Sequence, residues 1–412
     1  MLRAKPSKLG LGTALSALRA NGRFRLLWLS NLFFFGGVWT QTLVLGWLAY
    51  ETTGSEFLVA VFTAARLAPM LLGPIAGAVA DRHNRVGLLI IACAWALVTA
   101  GAVAGLASFD LLPYWALVAG GLALGLAQSP SQPARSSMVL DLVGRENLSN
   151  ANALNTMAMN LPQVIGPAAG GALISTLGAP AALWISTAWY GLSLVLLIPL
   201  RGLGDPVRHE PERVLSMITG GFRAIARNRL AVAILLVTLA ANILLWPIYQ
   251  SFMPVFAQQS LGLDAAGLGV LLTCCGVGGL VGSLIIAGLG DFRFKGGAFV
   301  LGTAGWGLLW AVFAVAQNVT AAYVVMIGIG VLSAVFGVLQ TTLLLMTTEP
   351  ALHGRALGVQ ELAIGVMPVS ALILGVIAQT VGVALTTLCA GLLLAAALIL
   401  LAVRVPELVR YG

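Results

Sequence analysis

Charge is what this chain has least of. Only 9% of its 412 residues are Asp, Glu, Lys or Arg, against about 25% in a soluble globular protein. The hydrophobic fraction is 59% and the mean hydropathy +0.98. A core of this size with so little charge to cover it excludes a water-soluble fold. Cysteine is also sparse. Cys93, Cys274, Cys275 and Cys389 all sit in apolar runs without CxxC or metal-ligand spacing. They imply neither a disulfide framework nor a metal site, and read as small packing residues. No Walker-type phosphate loop occurs, so nucleotide-driven chemistry is excluded.

What is present is a series of apolar runs, each about 20 residues long and able to cross ~30 Å of hydrocarbon as a helix. The strict two-residue alternation of a membrane β-barrel is missing. The runs predict an all-α membrane protein with twelve transmembrane helices in two pseudo-symmetric six-helix bundles. The spans fall at roughly 25–50, 57–80, 86–109, 112–139, 153–177, 180–200, 230–257, 265–290, 298–317, 320–347, 356–381 and 384–403. Pro247 and Pro254 predict a bent seventh span. The polar, basic first 24 residues run into a full-length span, so no cleavable leader is expected.

The few charges are sorted by face. Of the 22 Lys and Arg, 21 fall in the tails or alternate loops of one side, with Arg135 and Arg145 assigned to the end of span 4 and its loop. The opposite loops hold Glu51, Glu56, Asp110 and Asp264 instead. The positive-inside rule then predicts a multi-pass protein of the cytoplasmic (inner) membrane with both termini cytoplasmic. Basic charge spread over topogenic loops, with no single patch, argues against nucleic acid as a partner. The lipid bilayer and a small molecule are the partners expected, and a monomer the expected state.

The longest connection, 201–229, divides the chain into an N-terminal half (1–200) and a C-terminal half (230–412). Within it Leu215, Ile218, Phe222 and Ile225 recur at helical spacing among arginines, which fits either an amphipathic helix on the membrane surface or a solvated linker. The halves repeat. Asp81 is matched by Asp291, Asp141 by Glu349, Gln132 by Gln340, Asn31 by Asn242 and Gln41 by Gln250, at offsets of 208 to 211. Weak internal symmetry of this kind is what a protein built from two six-helix halves shows.

Gly77-Ala-Val-Ala-Asp81-Arg82-His-Asn-Arg85 resembles the GxxxDRxxR signature between spans 2 and 3 of the major facilitator superfamily. The second-half copy keeps Asp291 and Lys295, with Phe292 in place of the arginine. Gly166-Pro167-Ala-Ala-Gly170-Gly171 is similar to the GPxxGG core associated with exporters of that superfamily, although Pro162 replaces an upstream glycine. Pro133–Asn155 resembles the efflux branch that includes macrolide and enterobactin exporters. The resemblance implies alternating access and export of an amphiphilic drug- or siderophore-like molecule. The alternatives are import, or lysolipid flipping, by the same fold. Integral-membrane enzyme chemistry is less expected, because no catalytic cluster is visible.

The resemblance also implies a charge-relay gate made of Gly77, Asp81, Arg82, Arg85, Asp141, Asp291, Lys295 and Glu349. Physically, Asp81 can approach a helix N-terminus, and Arg85 can bridge Asp81 to Asp141. The alternative is that these charges only fix topology. Gly166, Pro167, Gly170 and Gly171 are expected to let helix backbones approach closely. In this fold spans 1, 4, 7 and 10 would line a path, with 2, 5, 8 and 11 beside them. The cavity candidates are Asn31, Trp39, Gln41, Arg66, Gln128, Gln132, Asn242, Trp246, Tyr249, Gln250, Ser333 and Gln340. Interfacial aromatic belts and interhelical hydrogen bonds are the alternative reading. No cofactor is expected. A proton gradient would supply the energy, and Glu361, the one acid inside a span, is the coupling candidate; the alternative is that it pairs with Arg82 or Arg135 as part of the gate.

Arg66 is the twenty-second basic residue. It lies ten residues into span 2 from Glu56, ~15 Å deep. It is either bonded to helix carbonyls or amides, or a cavity-side cation that attracts an anionic or catechol-like cargo or sets the pKa of a coupling acid, for which Glu361 would have to be met across the contact of spans 2 and 11.

Overall fold

A computed structural model describes residues 18–19, 21–72, 83–144, 148–203, 225–226, 228–290, 292–349 and 352–412, without the side chains of 140, 148 and 149. All described secondary structure is helical. Nine helices are long and apolar enough to cross a membrane among these residues. Gly77, Asp81, Arg82, Asp291 and the proposed surface helix in the central linker lie outside the described residues.

The N-terminal bundle contains α1 (Gly22–Thr53), α2 (Glu56–Leu67) with a 3-10 turn Ala68–Leu72, α3 (Arg85–Ser108), α4 (Tyr114–Val143) and α5 (Leu148–Leu197). The C-terminal bundle contains α6 (Arg229–Leu244), α7 (Trp246–Ser251), α8 (Ala265–Leu289), α9 (Lys295–Ala314), α10 (Val319–Thr347), α11 (His353–Gly365), α12 (Met367–Val381) and α13 (Val383–Arg404). We call the end bearing residue 22 and the C-terminus proximal, and the end bearing Glu56 and Asp264 distal.

Scarce polar residues stand where helices begin. The side chains of Asn21, Ser55, Asn84, Asn228, Asp264 and Asn318 each accept from amides of the first turn. These caps satisfy donors that lipid cannot. Two also join helix ends. Asn21 Nδ2 donates to Leu142 O at the end of α4, and Asn228 Nδ2 donates to Thr347 O at the end of α10, both at 2.6 Å. The halves thus repeat a specific bond that the sequence comparison did not bring out.

Glycine makes the matching distal turns. Gly178 breaks α5 at φ 82°, ψ 165°, and Gly382 separates α12 from α13 at φ 87°, ψ 155°. Residues with a Cβ scarcely reach that region. The seventh span is bent as its prolines require: Pro247 and Pro254 open new helical segments, and a π turn, Phe256–Ser260, ends it. The second and eleventh spans are each broken as well, after Leu67 and at Val366.

The bundles meet from the distal end to mid-depth. Ser55 Oγ donates to Gln379 Oε1 (2.8 Å), Gln259 Nε2 to Glu56 Oε1 (2.9 Å), Thr63 Oγ1 to Gln250 O (3.4 Å) and Thr273 Oγ1 to Val164 O (3.2 Å). At the proximal end the α8 side chains Leu280, Leu284, Ile285 and Leu289 are exposed.

Candidate functional site: a cavity between the bundles

A cavity of about 330 Å³ lies where α5 of the first bundle faces α7, α8, α9 and α10 of the second. Asn160, Gln163 and Val164 come from α5, Trp246 and Tyr249 from α7, Cys275 and Ser283 from α8, Trp306 and Trp310 from α9, and Ser333 from α10. Trp246 packs edge-on against both Tyr249 (5.9 Å between centroids) and Trp306 (5.6 Å). Tyr249 lies within hydrogen-bonding reach of Gln163 and Cys275. No Asp, Glu, Lys or Arg lines the cavity.

Trp246, Tyr249 and Ser333 were expected on such a wall. Asn160, Gln163, Ser283, Trp306 and Trp310 were not. Asn160 and Gln163 left a signal as amides one turn apart in an apolar span. Trp306 and Trp310 left a fainter one, an i, i+4 aromatic pair on the ninth span.

Three expected cavity residues are inside bundles instead. Asn31 is fully buried, accepts from Arg135 and donates from Nδ2 to Asn155 Oδ1 (2.6 Å). Gln41 accepts from the Tyr190 hydroxyl (3.3 Å). Asn242 is buried and turns its amide back to Thr238 O (2.8 Å). A buried amide must find partners, and a helix bundle supplies them nearer than a cavity does. Trp39, Gln128, Gln250 and Gln340 are half-buried and Gln132 is exposed.

Arg135 lies within the fourth span, as its place near the end of span 4 implied, but it was counted with the basic residues of the cytoplasmic face and is instead 0% exposed within α4. Its Nη1 donates to Asn31 Oδ1 (2.5 Å) and Ser30 Oγ (3.1 Å), its Nη2 to Cys93 Sγ (3.3 Å), and its guanidinium lies 4.4 Å from the centre of the Phe34 ring. Two arginines, not one, are therefore sunk in apolar spans. They differ in company. Arg66 is half-buried on α2 and has no hydrogen-bond or ion-pair partner among the described residues, so it is not bonded there to carbonyls or amides. Its charge interacts with Tyr190. It forms no ion pair with Glu361.

At the proximal end Arg85 Nη1 donates to Asp141 Oδ2 at 2.5 Å. This pair ties the start of α3 to the end of α4, two helices of one bundle. Lys295 begins α9 in the equivalent place and donates to Phe292 O (2.9 Å). Glu349 is exposed just after α10, and Glu361 is exposed on α11, beside a Gln360 that donates to Thr341 Oγ1 (2.9 Å).

The glycine motif packs two interfaces. A Cβ on Gly166 would stand 2.7 Å from Trp39 Cβ, and one on Gly170 3.2 Å from Thr40 O, both on α1. One on Gly171 would stand 2.4 Å from Ala265 O on α8, across the bundle boundary. Pro167 lies between them, and its carbonyl faces Gly269 on α8.

Two helical bundles closed at one end around a cavity, with a glycine-lined contact between them, define a membrane transporter of the major facilitator type. The chain belongs to the transmembrane secretion effector family of that superfamily, which matches residues 12–410. It is 26% identical over 322 residues to the multidrug efflux pump Tap of Mycolicibacterium fortuitum, covering 76% of this chain and 78% of that one. It is 23% identical over 261 residues to the staphyloferrin A transporter of Staphylococcus aureus, covering 62% and 65%. With the enterobactin exporter EntS of Shigella flexneri it shares 31% over 225 residues, covering 53% and 51%. The match thus spans less than two thirds of the length of two of these three relatives. Among solved structures, a POT family transporter in complex with 5-aminolevulinic acid superposes with a TM-score of 0.76 at 12% identity, covering 94% of this chain and 97% of that one. A bacterial homologue of the human lysosomal transporter Spinster, inward-facing and unoccupied, gives 0.71 at 14%, covering 98% and 99%. At such identity the likeness concerns the fold.

Proposed function

We propose that this protein exports an amphiphilic small molecule, drug- or siderophore-like, across the cytoplasmic membrane by alternating access, with a proton gradient as energy source and no catalytic step. One observation carries the reading: an aromatic and amide-lined cavity between two bundles that are bonded to each other at the distal end. The one-sided basic charge makes the proximal end cytoplasmic. The cavity then loads from the cytoplasm, and Arg85–Asp141 belongs to the cytoplasmic gate. Efflux assignments of the Tap and EntS relatives support the direction. Glu361, exposed on α11 away from the cavity lining, is the coupling acid in this reading.

The test is accumulation of a compound panel in cells with and without the gene, with and without an uncoupler. Cells carrying the gene should hold several-fold less of at least one compound, and the uncoupler should erase the difference. Glu361→Gln should abolish the gradient-driven component while ligand binding to purified protein persists. Equal accumulation across the panel would overturn export, and unchanged pH-driven transport by the Gln variant would remove Glu361 from the mechanism.

A further inference from the structure

A second concave site lies at the proximal end of the N-terminal bundle, away from the cavity between the bundles. It is a cleft of about 720 Å³ between the start of α1, the end of α4 and the segment that follows α5. Arg23 and Arg25 line it from α1, Asp141 and Leu142 from α4, and Pro199 and Leu203 from the third side. Both arginines are exposed, and neither guanidinium has a hydrogen-bond or ion-pair partner among the described residues. Asp141 is the one acid among these lining residues, and Arg85 already holds it. The cleft therefore keeps two uncommitted positive charges.

Topology accounts for arginines at this end. It does not account for two of them sharing a walled hollow with leucine and proline. The first-turn amides of α1 are not the attraction, because Asn21 Oδ1 accepts from the amides of Arg23 (3.0 Å) and Phe24 (3.1 Å). The apolar part of the wall is Leu26, Leu142, Pro199 and Leu203, and exposed hydrocarbon leads up to it. Leu192, Val195 and Ile198 are 43%, 59% and 45% exposed and recur every third residue on one helix face. Ile198 opens the 3-10 turn Ile198–Leu200 and stands one residue before Pro199. A molecule seated here meets cations at the helix ends and an apolar track beside them. A soluble anion would use only the first.

We infer that the cleft binds the phosphate headgroup of an anionic phospholipid. Arg23 and Arg25 donate to the phosphate oxygens, which a planar guanidinium suits. The leucines and Pro199 take the glycerol and the first methylenes, and an acyl chain lies along Leu192, Val195 and Ile198. Basic pockets between spanning helices hold such headgroups by the same chemistry. The bound lipid joins α1 to α4 at the end where Arg85 and Asp141 pair.

The test titrates the full chain in detergent with dioctanoyl phosphatidylglycerol and dioctanoyl phosphatidylcholine, which share their chains and differ in net charge. Native mass spectrometry counts the bound lipid, and the melting temperature is followed in parallel. Phosphatidylglycerol should bind about tenfold more tightly than phosphatidylcholine and raise the melting temperature. Arg23→Gln and Arg25→Gln should each weaken phosphatidylglycerol about tenfold and leave phosphatidylcholine unchanged. Arg410→Gln removes the same charge from the exposed proximal surface of the other bundle and should alter neither affinity by more than about twofold. Melting without lipid checks that the variants are folded; where one is not, the comparison of the two lipids on the unaltered protein decides. Equal affinity for the two lipids, or equal weakening by Arg410→Gln, would overturn the cleft as a site. Displacement of the lipid by inorganic phosphate at the same concentration would make the occupant a soluble anion. Tighter binding of dioctanoyl phosphatidylethanolamine would hand the cleft to a zwitterionic headgroup through Asp141. Either result overturns the proposal. Binding is read on purified protein without a gradient, so its failure leaves the export reading standing, and failure of export leaves the lipid site standing.

Discussion

Two arginines in apolar helices carry opposite expectations. Arg135 donates to Asn31 Oδ1 and fills the space between α1, α3 and α4 against Phe34. Replacing it by Ala leaves Asn31 Oδ1 without that donor and opens a void, which should cost about 3 kcal/mol of stability. Arg66 holds nothing by hydrogen bond among the described residues, so Arg66→Gln should shift stability by less than ~1 kcal/mol. It should nevertheless lower transport of acidic or catechol-like cargo tenfold or more, because a cation inside a span with no hydrogen-bond partner among the described residues is a functional-site candidate. Melting temperature in detergent and efflux from cells measure the two variants together. A normal melting temperature for Arg135→Ala, or unchanged efflux of every such compound for Arg66→Gln, contradicts the assignment concerned. Sequence alone could not tell the two apart. Arg135 stands six residues before Asp141, near a loop rich in polar residues, and nothing local marks it as bonded to a first-span amide 104 residues earlier.

At the scale of elements, punctuation was legible and orientation was not. Pro247 and Pro254 announced the broken seventh span, Gly178 ends a run that the apolar periodicity already divides, and the asparagine and serine caps coincide with the starts of helices. Which face each helix turns inward stayed hidden. In lipid both faces of a span are apolar, so the amphipathic stripe that orients a helix in water is absent. Trp306 and Trp310 escaped notice on that account, and Asn31, Gln41 and Asn242, expected on the cavity, are buried and bonded within the bundles. The glycine motif was read as a packing device without its partners. Its sharpest element is Gly171, whose added Cβ would press on Ala265 O and Gly269 of α8. Gly171→Val should therefore cut efflux severalfold or more at undiminished protein abundance, by prising the bundles apart. Gly105→Ala, where an added Cβ meets nothing within 4 Å, should be silent. An efflux assay normalised to membrane abundance compares them, and a fully active Gly171→Val would show that this contact is dispensable.

For the whole molecule, the alternating access proposed above requires that the distal closure be breakable. The bonds from Ser55 to Gln379 and from Gln259 to Glu56 are neutral or singly charged and lie near solvent. Each contributes on the order of 1 kcal/mol, about fivefold in a two-state population. Gln259→Leu or Gln379→Leu should thus raise the distally open population about fivefold, and the double variant about 25-fold if the two act independently. Spin labels at Ser175 and Gln317, exposed at the distal ends of the two bundles, report the separation directly. A longer distance component should grow from wild type to single to double variant. If the distance distribution stays at its short value in the double variant, these bonds are not the closure, and the burden passes to the apolar contact around Gly171 and Ala265. If the long component grows while efflux also rises, opening on the distal side limits the transport cycle. If it grows while efflux falls, the return to the proximally open state is the slower step, because each broken bond stabilised that state alone.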